Sequence, residues 1–290
     1  MARYKGNRIN PKRFDLGQFK ILLIISPLLL FMLLPIVYLI SHAFKPLEEL
    51  FAFPPKFLVT RPTLDNFRNL MKAATNSSIP ISRFVFNSIL VSLLVVFLSI
   101  LLSSITAFAL SKLKFKGKYT LMNINNAALM FVSVAVMIPR YLVIDRLGII
   151  DTYWAHILPL LSMPIGLFLV KGFIDDVPDS LIEAAYIDGA SEFKVFRKII
   201  IPMIKPALAT AAILAFQAVW GNIETSNYYV SGEGLRTLTF YMNTLANQNT
   251  AVAGQGMAAA ATLIMFLPNL ILFVILQSSV MNTMAHSGIK

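Results

Sequence analysis

The sequence predicts an all-α integral membrane protein with six transmembrane helices. Three observations lead to this class. Of the 290 residues, 57% are hydrophobic and only 13% are charged. The mean hydropathy is +0.71, and the apolar residues fall into long, nearly uninterrupted runs. Soluble domains are much less apolar, so lipid must be the solvent for much of this chain.

The lengths of the apolar runs place the spans. A bilayer core of about 30 Å requires about 20 apolar residues in a helix. This rule gives six segments, at residues 20–44, 84–111, 119–139, 153–173, 206–223 and 257–281. The first run is too long for the apolar part of a cleaved signal, which has about 7–15 residues.

The distribution of Lys and Arg predicts the orientation. With the N-terminus inside, 16 of the 25 basic residues lie on the cytoplasmic side. The clearest marker is the short turn 112–118 with four lysines, because short basic loops stay inside. An even number of spans then places both termini in the cytoplasm.

Composition excludes several classes of function. The net charge of +11 would suggest nucleic-acid binding in a soluble protein, but here the basic residues serve as topology signals, and no nucleic-acid partner is expected. The chain has no cysteine, which excludes disulfides, thiolate metal sites and cysteine nucleophiles, and no metal site is predicted. A Walker A sequence is also absent, so this chain does not carry an ATPase.

Three segments are predicted outside the membrane on the extracytoplasmic side. The first, 45–83, contains five prolines and a short helix capped by Thr63, with Leu64, Phe67, Leu70 and Met71 on one face. That helix is expected to cover the ends of the spans, with docking of a partner as the alternative. The second is residues 140–152, and the third, 224–256, is rich in Gly, Asn, Ser and Thr.

The spans contain almost no ionisable residues. Carriers driven by protons or ions hold such groups inside the bilayer. His42 and His156 both fall near a predicted outer end, where a surface hydrogen bond suffices. Energy for any transport is therefore expected from outside this chain.

A polar segment, residues 183–206, interrupts the apolar sequence between the fourth and fifth spans. It is predicted to form two short helices joined by Gly189 in the left-handed conformation. Ser180 with Glu183 forms a predicted capping box for the first helix, and Ser191 is the predicted cap of the second. Lys194, Arg197 and Lys198 follow, and Pro202 and Pro206 precede the next apolar run.

This segment resembles the cytoplasmic signature of ABC importer permeases. The matching positions are Glu183-Ala184-Ala185, Gly189 and Ile199-Ile200-Ile201-Pro202, with Ile201 in place of the usual leucine. The whole chain is similar to the carbohydrate branch of that family, the maltose-transporter type. Supporting residues are the turn 112–117, Phe86-Asn87-Ser88 and the tail 277–290, which is similar to that of oligosaccharide permeases.

The resemblance implies a fold, partners and a mechanism. The fold is that of type I ABC importer permeases, in one transmembrane domain over residues 1–290, located in the bacterial inner or plasma membrane. The implied partners are a second similar permease, two ATPase subunits and an extracytoplasmic solute-binding protein. ATP and magnesium belong to the ATPases, and this chain carries no cofactor and no catalytic residue.

The resemblance also assigns the cytoplasmic loop 180–202 as the coupling helix that docks on the ATPase. The residues expected to couple are Glu183, Ala184, Ala185, Gly189 and Pro202. Import would proceed by alternating access, with a carbohydrate, expected to be an oligosaccharide, as the solute.

Contact with solute or with the binding protein is predicted at the outer end of the fifth span. Carbohydrate recognition uses aromatic faces beside amides, and this segment supplies both, in Gln217, Trp220, Asn222, Asn227, Tyr228 and Tyr229. An aromatic belt at the membrane interface is the alternative for Trp220 and the tyrosines. Three other functions stay open: a permease for another polar solute, an ATP-independent carrier, and a receptor that anchors a cytoplasmic protein.

Overall fold

The computed structural model describes residues 16–75, 78–248 and 252–287. Within these ranges every regular element is helical, which confirms the all-α class. In chain order the α-helices are α1 (Leu16–Phe44), α2 (Leu47–Leu50), α3 (Asp65–Thr75), α4 (Ile81–Lys112), α5 (Lys118–Ala128), α6 (Met137–Arg146), α7 (Tyr153–Leu161), α8 (Pro164–Asp175), α9 (Asp179–Ile187), α10 (Glu192–Val195), α11 (Ile201–Met203), α12 (Lys205–Trp220), α13 (Glu224–Tyr228), α14 (Leu238–Gln248) and α15 (Val252–Ser287).

Four helical segments in the described ranges are long and apolar enough to cross a membrane. They are Gln18–Phe44, Ile81–Lys112, Lys205–Tyr228 and Gly254–Gln277. These correspond to the first, second, fifth and sixth predicted spans.

The fourth predicted span is a broken one. It consists of α7 and α8, which meet at a 46° bend and together pass the same test of length and hydropathy. Pro164 begins α8, and a proline disfavours the helical conformation of the residue before it. Met163 accordingly has φ −123° and ψ 75°, outside the helical region.

The third predicted span, 119–139, is not confirmed as one helix. Helix α5 ends at Ala128, turns follow over residues 129–136, and α6 begins at Met137. Val132, Val134 and Val136 lie in this break, and β-branched residues have weak helix propensity. The structure therefore supports four spans, or five with the bent pair, and the sixth stays a prediction.

Contacts along α4 define the two ends of the helical bundle. At one end, Lys112 Nζ lies 2.7 Å from the carbonyl oxygen of Val177, so residues 111–118 and the polar segment lie together. At the other end, Asn87 Nδ2 donates to the carbonyl of Arg236 at 2.9 Å. The predicted inner loops thus share one end. The cytoplasmic location of the termini stays a prediction, and residues 1–15 and 288–290 lie outside the described ranges.

The predicted outer segment 45–83 is folded onto the bundle. Thr63 Oγ1 accepts from the backbone N–H of Asp65 at 3.2 Å, but Leu64 O accepts the first helical bond, from Arg68 at 3.0 Å, so Thr63 lies one residue before the cap of α3. Asn66, Leu70 and Ala74 are the buried residues of α3, which packs against α15. A Cβ at Gly256 would lie 2.5 Å from Asn66 Oδ1, so a glycine permits the close approach of α15 to α3.

The predicted outer loop 224–256 is largely helical. It contains α13, a 3₁₀ turn at Glu233–Leu235 and α14. Leu238, Met242 and Leu245 of α14 are buried in an apolar cluster with Trp220 and residues of α15. These apolar residues recur at intervals of three and four, which is a helical period.

Candidate functional site

The polar segment forms a compact elbow, defined here as residues 179–203, at one end of the bundle. It consists of α9, α10, a π-helical turn at Phe196–Ile200 and α11. Gly189 has φ +75°, which confirms the predicted left-handed joint. Its N–H donates to Tyr186 O at 3.0 Å, and the N–H of Ala190 donates to Ala185 O at 2.9 Å. This pair of bonds is the Schellman arrangement that ends a helix.

The predicted capping box of α9 is wrong. The helix begins at Asp179, directly after Pro178, and no side chain caps it. Ser180 therefore lies inside the first turn, and the role of Glu183 as a cap is not supported. The cap of α10 is confirmed, since the Ser191 hydroxyl accepts from the N–H of Lys194 at 3.4 Å.

A charged network attaches the start of α9 to the end of α4. The Lys112 ammonium donates to Val177 O and to Asp179 Oδ1, both at 2.7 Å. Its side chain is only 9% exposed. Nearby, Asp175 accepts from Ser111 Oγ and from Lys171 Nζ. The sequence predicts only a topology role for Lys112, and the structure adds this contact.

An apolar cluster attaches the inner face of the elbow to the bundle. Ile182, Val195, Phe196 and Ile200 are buried in it. The remaining members come mainly from the ends of α4 and α8 and from α12. The ring centroids of Phe108 and Phe196 are 5.4 Å apart. The elbow is therefore bound by packing to three helices of the transmembrane bundle.

The second joint of the elbow is a π-helical turn followed by a proline. The N–H of Ile201 donates to the carbonyl of Phe196, five residues earlier. Pro202 comes next and has no N–H to donate. A π-turn inside a helix is a common feature of functional sites because it changes the helix direction locally.

The outer face of the elbow exposes apolar side chains. Ile187 is 86% exposed and Phe193 is 69% exposed. Glu183 and Ala184 are also exposed, and Ala185 is half-buried. Ile187 and Phe193 were not predicted from the sequence. Ile187 was detectable, because it lies five residues, about 140° of helical rotation, from the buried Ile182.

The six predicted solute-contact residues do not form one surface in the isolated chain. Gln217, Asn227 and Tyr228 are exposed, and Asn222 is half-buried. Trp220 and Tyr229 are buried.

The buried and half-buried members of this set have internal partners. Trp220 Nε1 donates to Met265 O at 3.0 Å. Asn222 Oδ1 accepts from the N–H of Thr225 at 2.9 Å. Tyr229 donates its hydroxyl to Glu224 at 2.9 Å. A contact of these residues with solute stays a prediction, and the exposed residues are the ones available for it.

An ion pair connects α6 to this region. Arg140 Nη1 lies 2.8 Å from Glu224 Oε1, the same oxygen that accepts from Tyr229. Burial raises the pKa of Tyr229 to about 12, and the hydrogen bond to Glu224 acts in the same direction. The phenol is therefore a neutral donor at physiological pH.

His156 is fully buried, contrary to the expectation of a surface location. Its Nδ1 lies 2.8 Å from Thr225 Oγ1, and its Nε2 lies 3.0 Å from Leu235 O. Both ring nitrogens are thus used in holding the 224–235 segment against α7. Among the described residues, no cluster of three or more His, Asp or Glu has the geometry of a metal site.

Comparison with known proteins gives a family match over most of the bundle. Residues 99–280 match the model of the "binding-protein-dependent transport system inner membrane component" family. Protein LplC of Bacillus subtilis is 30% identical over 275 residues, covering 89% of each chain. The arabinooligosaccharides transport system permease protein AraQ of Halalkalibacterium halodurans is 32% identical, covering 80% of this chain and 85% of that one.

A solved structure shares the fold. It is that of a bacterial ABC transporter involved in the import of the acidic polysaccharide alginate, with a TM-score of 0.73 at 20% identity. The match covers 92% of this chain and 99% of the other.

Proposed function

Since the chain belongs to the family of binding-protein-dependent transport system inner membrane components, we propose that it is one of two permease subunits of an ATP-driven importer. It would assemble with a second, similar permease and two ATPase subunits, and an extracytoplasmic binding protein would deliver the solute. ATP and Mg²⁺ would bind to the ATPases, and this chain would contribute no covalent chemistry.

The proposed solute is an oligosaccharide. The support comes from the names of similar proteins, which describe transport of arabinooligosaccharides, of galactooligosaccharides and of polygalacturonan or rhamnogalacturonan. A sulfoquinovosyl glycerol permease and a trehalose permease are also among them. The shared chemistry of these solutes is a polyhydroxylated sugar ring.

The proposed mechanism is alternating access driven through the elbow. Closure of the ATPases on ATP would displace the outer face of the elbow. Its inner face packs against α4, α8 and α12, so that displacement would reach the transmembrane helices without an intervening flexible segment. Glu183, Ala184, Ala185, Gly189 and Pro202 remain the proposed coupling residues, and Ile187 and Phe193 are added to them.

The observation that carries this proposal is the exposure of Ile187 and Phe193 beside charged residues of the elbow. Exposure of an apolar side chain to water is unfavourable, so such a side chain on the polar elbow is a suitable anchor for a protein partner. The inner face of the elbow is buried against the bundle, so the outer face is the one available for docking.

The test is Ile187→Asp combined with Phe193→Asp in the assembled transporter. Burying two carboxylates in an interface costs several kcal/mol, so the ATPase should no longer co-purify and uptake should be lost. The matched control is Phe115→Asp, at the same end of the bundle but in the 112–118 turn, where Phe115 is 40% exposed.

The panel for uptake consists of arabino-, galacto- and galacturono-oligosaccharides and trehalose. Normal ATPase retention in the double variant would refute docking through this face. Uptake that persists without nucleotide would instead show a secondary carrier.

A further inference from the structure

We infer that this subunit itself contributes a hydrogen-bonding subsite for solute hydroxyl groups, in the cleft where α4, α5 and the broken α7–α8 span meet. The inference rests on the proposed function and deepens it, because it places part of the sugar pathway on this chain. It is independent of the six residues predicted at the outer end of α12.

The cleft has a volume of about 160 Å³. Its polar lining comes from Ser103 and Thr106 on α4, Asn125 on α5 and Ser162 at the break between α7 and α8. Apolar lining residues, among them Met163 and Leu167, complete the wall. A cavity with apolar walls and a few convergent polar groups is the usual form of a small-ligand site.

The hydroxyl groups of this lining are not used by the fold. Within the described ranges, Ser103, Thr106 and Ser162 have no hydrogen-bond partner. Ser103 is only 7% exposed as a residue, and it lies in the lining of the cleft. One turn away on the same face of α4, the hydroxyl of Ser99 is buried without a partner. Neighbouring Ser104 differs, since its hydroxyl donates to Leu101 O at 3.0 Å.

Unsatisfied hydroxyls are costly at this depth. Ser103 lies nine residues before the end of α4 at Lys112, which is about 14 Å along the helix axis. That position is inside the hydrocarbon region, where lipid offers no hydrogen bonds and each missing partner costs free energy. Such groups are retained where they face a water-filled or solute-filled cavity.

The break in the fourth span places the irregular backbone of residues 161–164 along the wall of the cleft. Pro164 cannot donate to the carbonyl four residues before it, so the helical bonding of the span is interrupted here. Asn125 Nδ2 donates to Pro164 O at 3.3 Å and holds α5 at the break. Irregular backbone at membrane depth is tolerated where it lines a cavity.

The chemistry fits a neutral sugar hydroxyl better than an ion. Serine and threonine hydroxyls and an amide each donate and accept, as sugar hydroxyls do. None of the polar residues in the lining is charged. Several weak, reversible hydrogen bonds suit a solute that has to bind and then leave.

The first experiment measures uptake by the assembled importer in proteoliposomes, with the sugars of the panel above. The triple variant Ser103→Ala, Thr106→Val, Ser162→Ala keeps the side-chain volumes nearly constant and removes three hydroxyls. We expect kcat/KM for uptake to fall at least about ten-fold, because two or three ordinary hydrogen bonds are lost. ATP hydrolysis stimulated by the loaded binding protein should be unchanged, which shows that the complex is folded and coupled. The control Ser104→Ala should transport normally.

The second experiment needs no known solute. The chain has no native cysteine, so Thr106→Cys and Ser162→Cys each introduce a single thiol. Both should react with a charged, water-soluble methanethiosulfonate in at least one nucleotide state, whereas Ser104→Cys should not. Modification should block uptake.

The outcomes separate this inference from the proposed function. If the wild-type importer transports no sugar of the panel, the proposed substrate class is wrong, and thiol reactivity still decides whether the cleft is part of an aqueous pathway. Normal kcat/KM in the triple variant, or unreactive thiols at both positions in both nucleotide states, would overturn the subsite.

Discussion

At the scale of the residue, glycine is required at position 189 because of its backbone conformation alone. Its φ is +75°, and a Cβ added there would meet no atom within 4 Å. A substitution at this position therefore strains the turn without causing a steric clash. This separates the effect of the joint from the effect of packing.

Gly189→Val should weaken the coupling of ATP hydrolysis to uptake. A non-glycine residue in the left-handed region costs about 1–2 kcal/mol, and valine is β-branched. The native turn should therefore lose about 5–30-fold in population relative to alternatives. We expect the complex to assemble and to hydrolyse ATP, with more ATP consumed per solute imported.

The matched control for Gly189→Val is Gly232→Val. Gly232 also has open space around its Cβ position, but its φ is −70°. It should show wild-type stoichiometry. A Gly189→Val importer with wild-type stoichiometry would contradict a coupling role for the glycine joint.

At the scale of the element, the attachment of α9 to α4 depends on one buried ammonium group. Lys112→Met keeps most of the side-chain volume and removes both hydrogen bonds to Val177 O and Asp179. Hydrogen bonds of charged groups contribute about 1.5–3 kcal/mol. Amide hydrogen exchange over 179–190 should therefore be at least about ten-fold faster in the variant.

Two comparisons make the exchange measurement specific. Lys114→Met, an exposed lysine of the same turn, should leave exchange in the elbow unchanged. Amides of α12 should also be unaffected by Lys112→Met. If the elbow amides of the Lys112→Met protein exchange at the wild-type rate, the apolar cluster alone holds the elbow and the ion pair is dispensable.

At the scale of the whole molecule, residues 119–139 are predicted to cross the membrane as the third span. The apolar composition favours a crossing, but the helix is interrupted at 129–136. A crossing puts Lys116 and Arg146 on opposite sides of the membrane. In intact cells, an impermeant thiol reagent should then label Arg146→Cys from outside and should not label Lys116→Cys.

The cysteine-free chain makes this topology measurement direct, because each variant carries one thiol. After permeabilisation both variants should react, which controls for burial. Labelling of both positions from the same side would show five spans and would place the two termini on opposite sides.

The sequence by itself was sufficient for the class, for four long spans and for the position of the elbow. These properties depend on local composition: apolar length, the glycine joint at Gly189 and the Ser191 cap. It was also sufficient for the family, because the signature residues and their spacing lie within one short segment. Such features need no knowledge of which helices become neighbours.

Tertiary structure decided the rest, because it depends on contacts between residues far apart in the chain. The burial of Trp220 and His156 results from packing against α15 and the 224–235 segment. The tie from Lys112 to Asp179 joins residues 67 positions apart, and the hydroxyl-lined cleft collects residues from α4, α5 and the α7–α8 break. Hydropathy reports only whether a residue prefers lipid to water, and it cannot report which other residue satisfies a hydroxyl or an ammonium group inside the bundle.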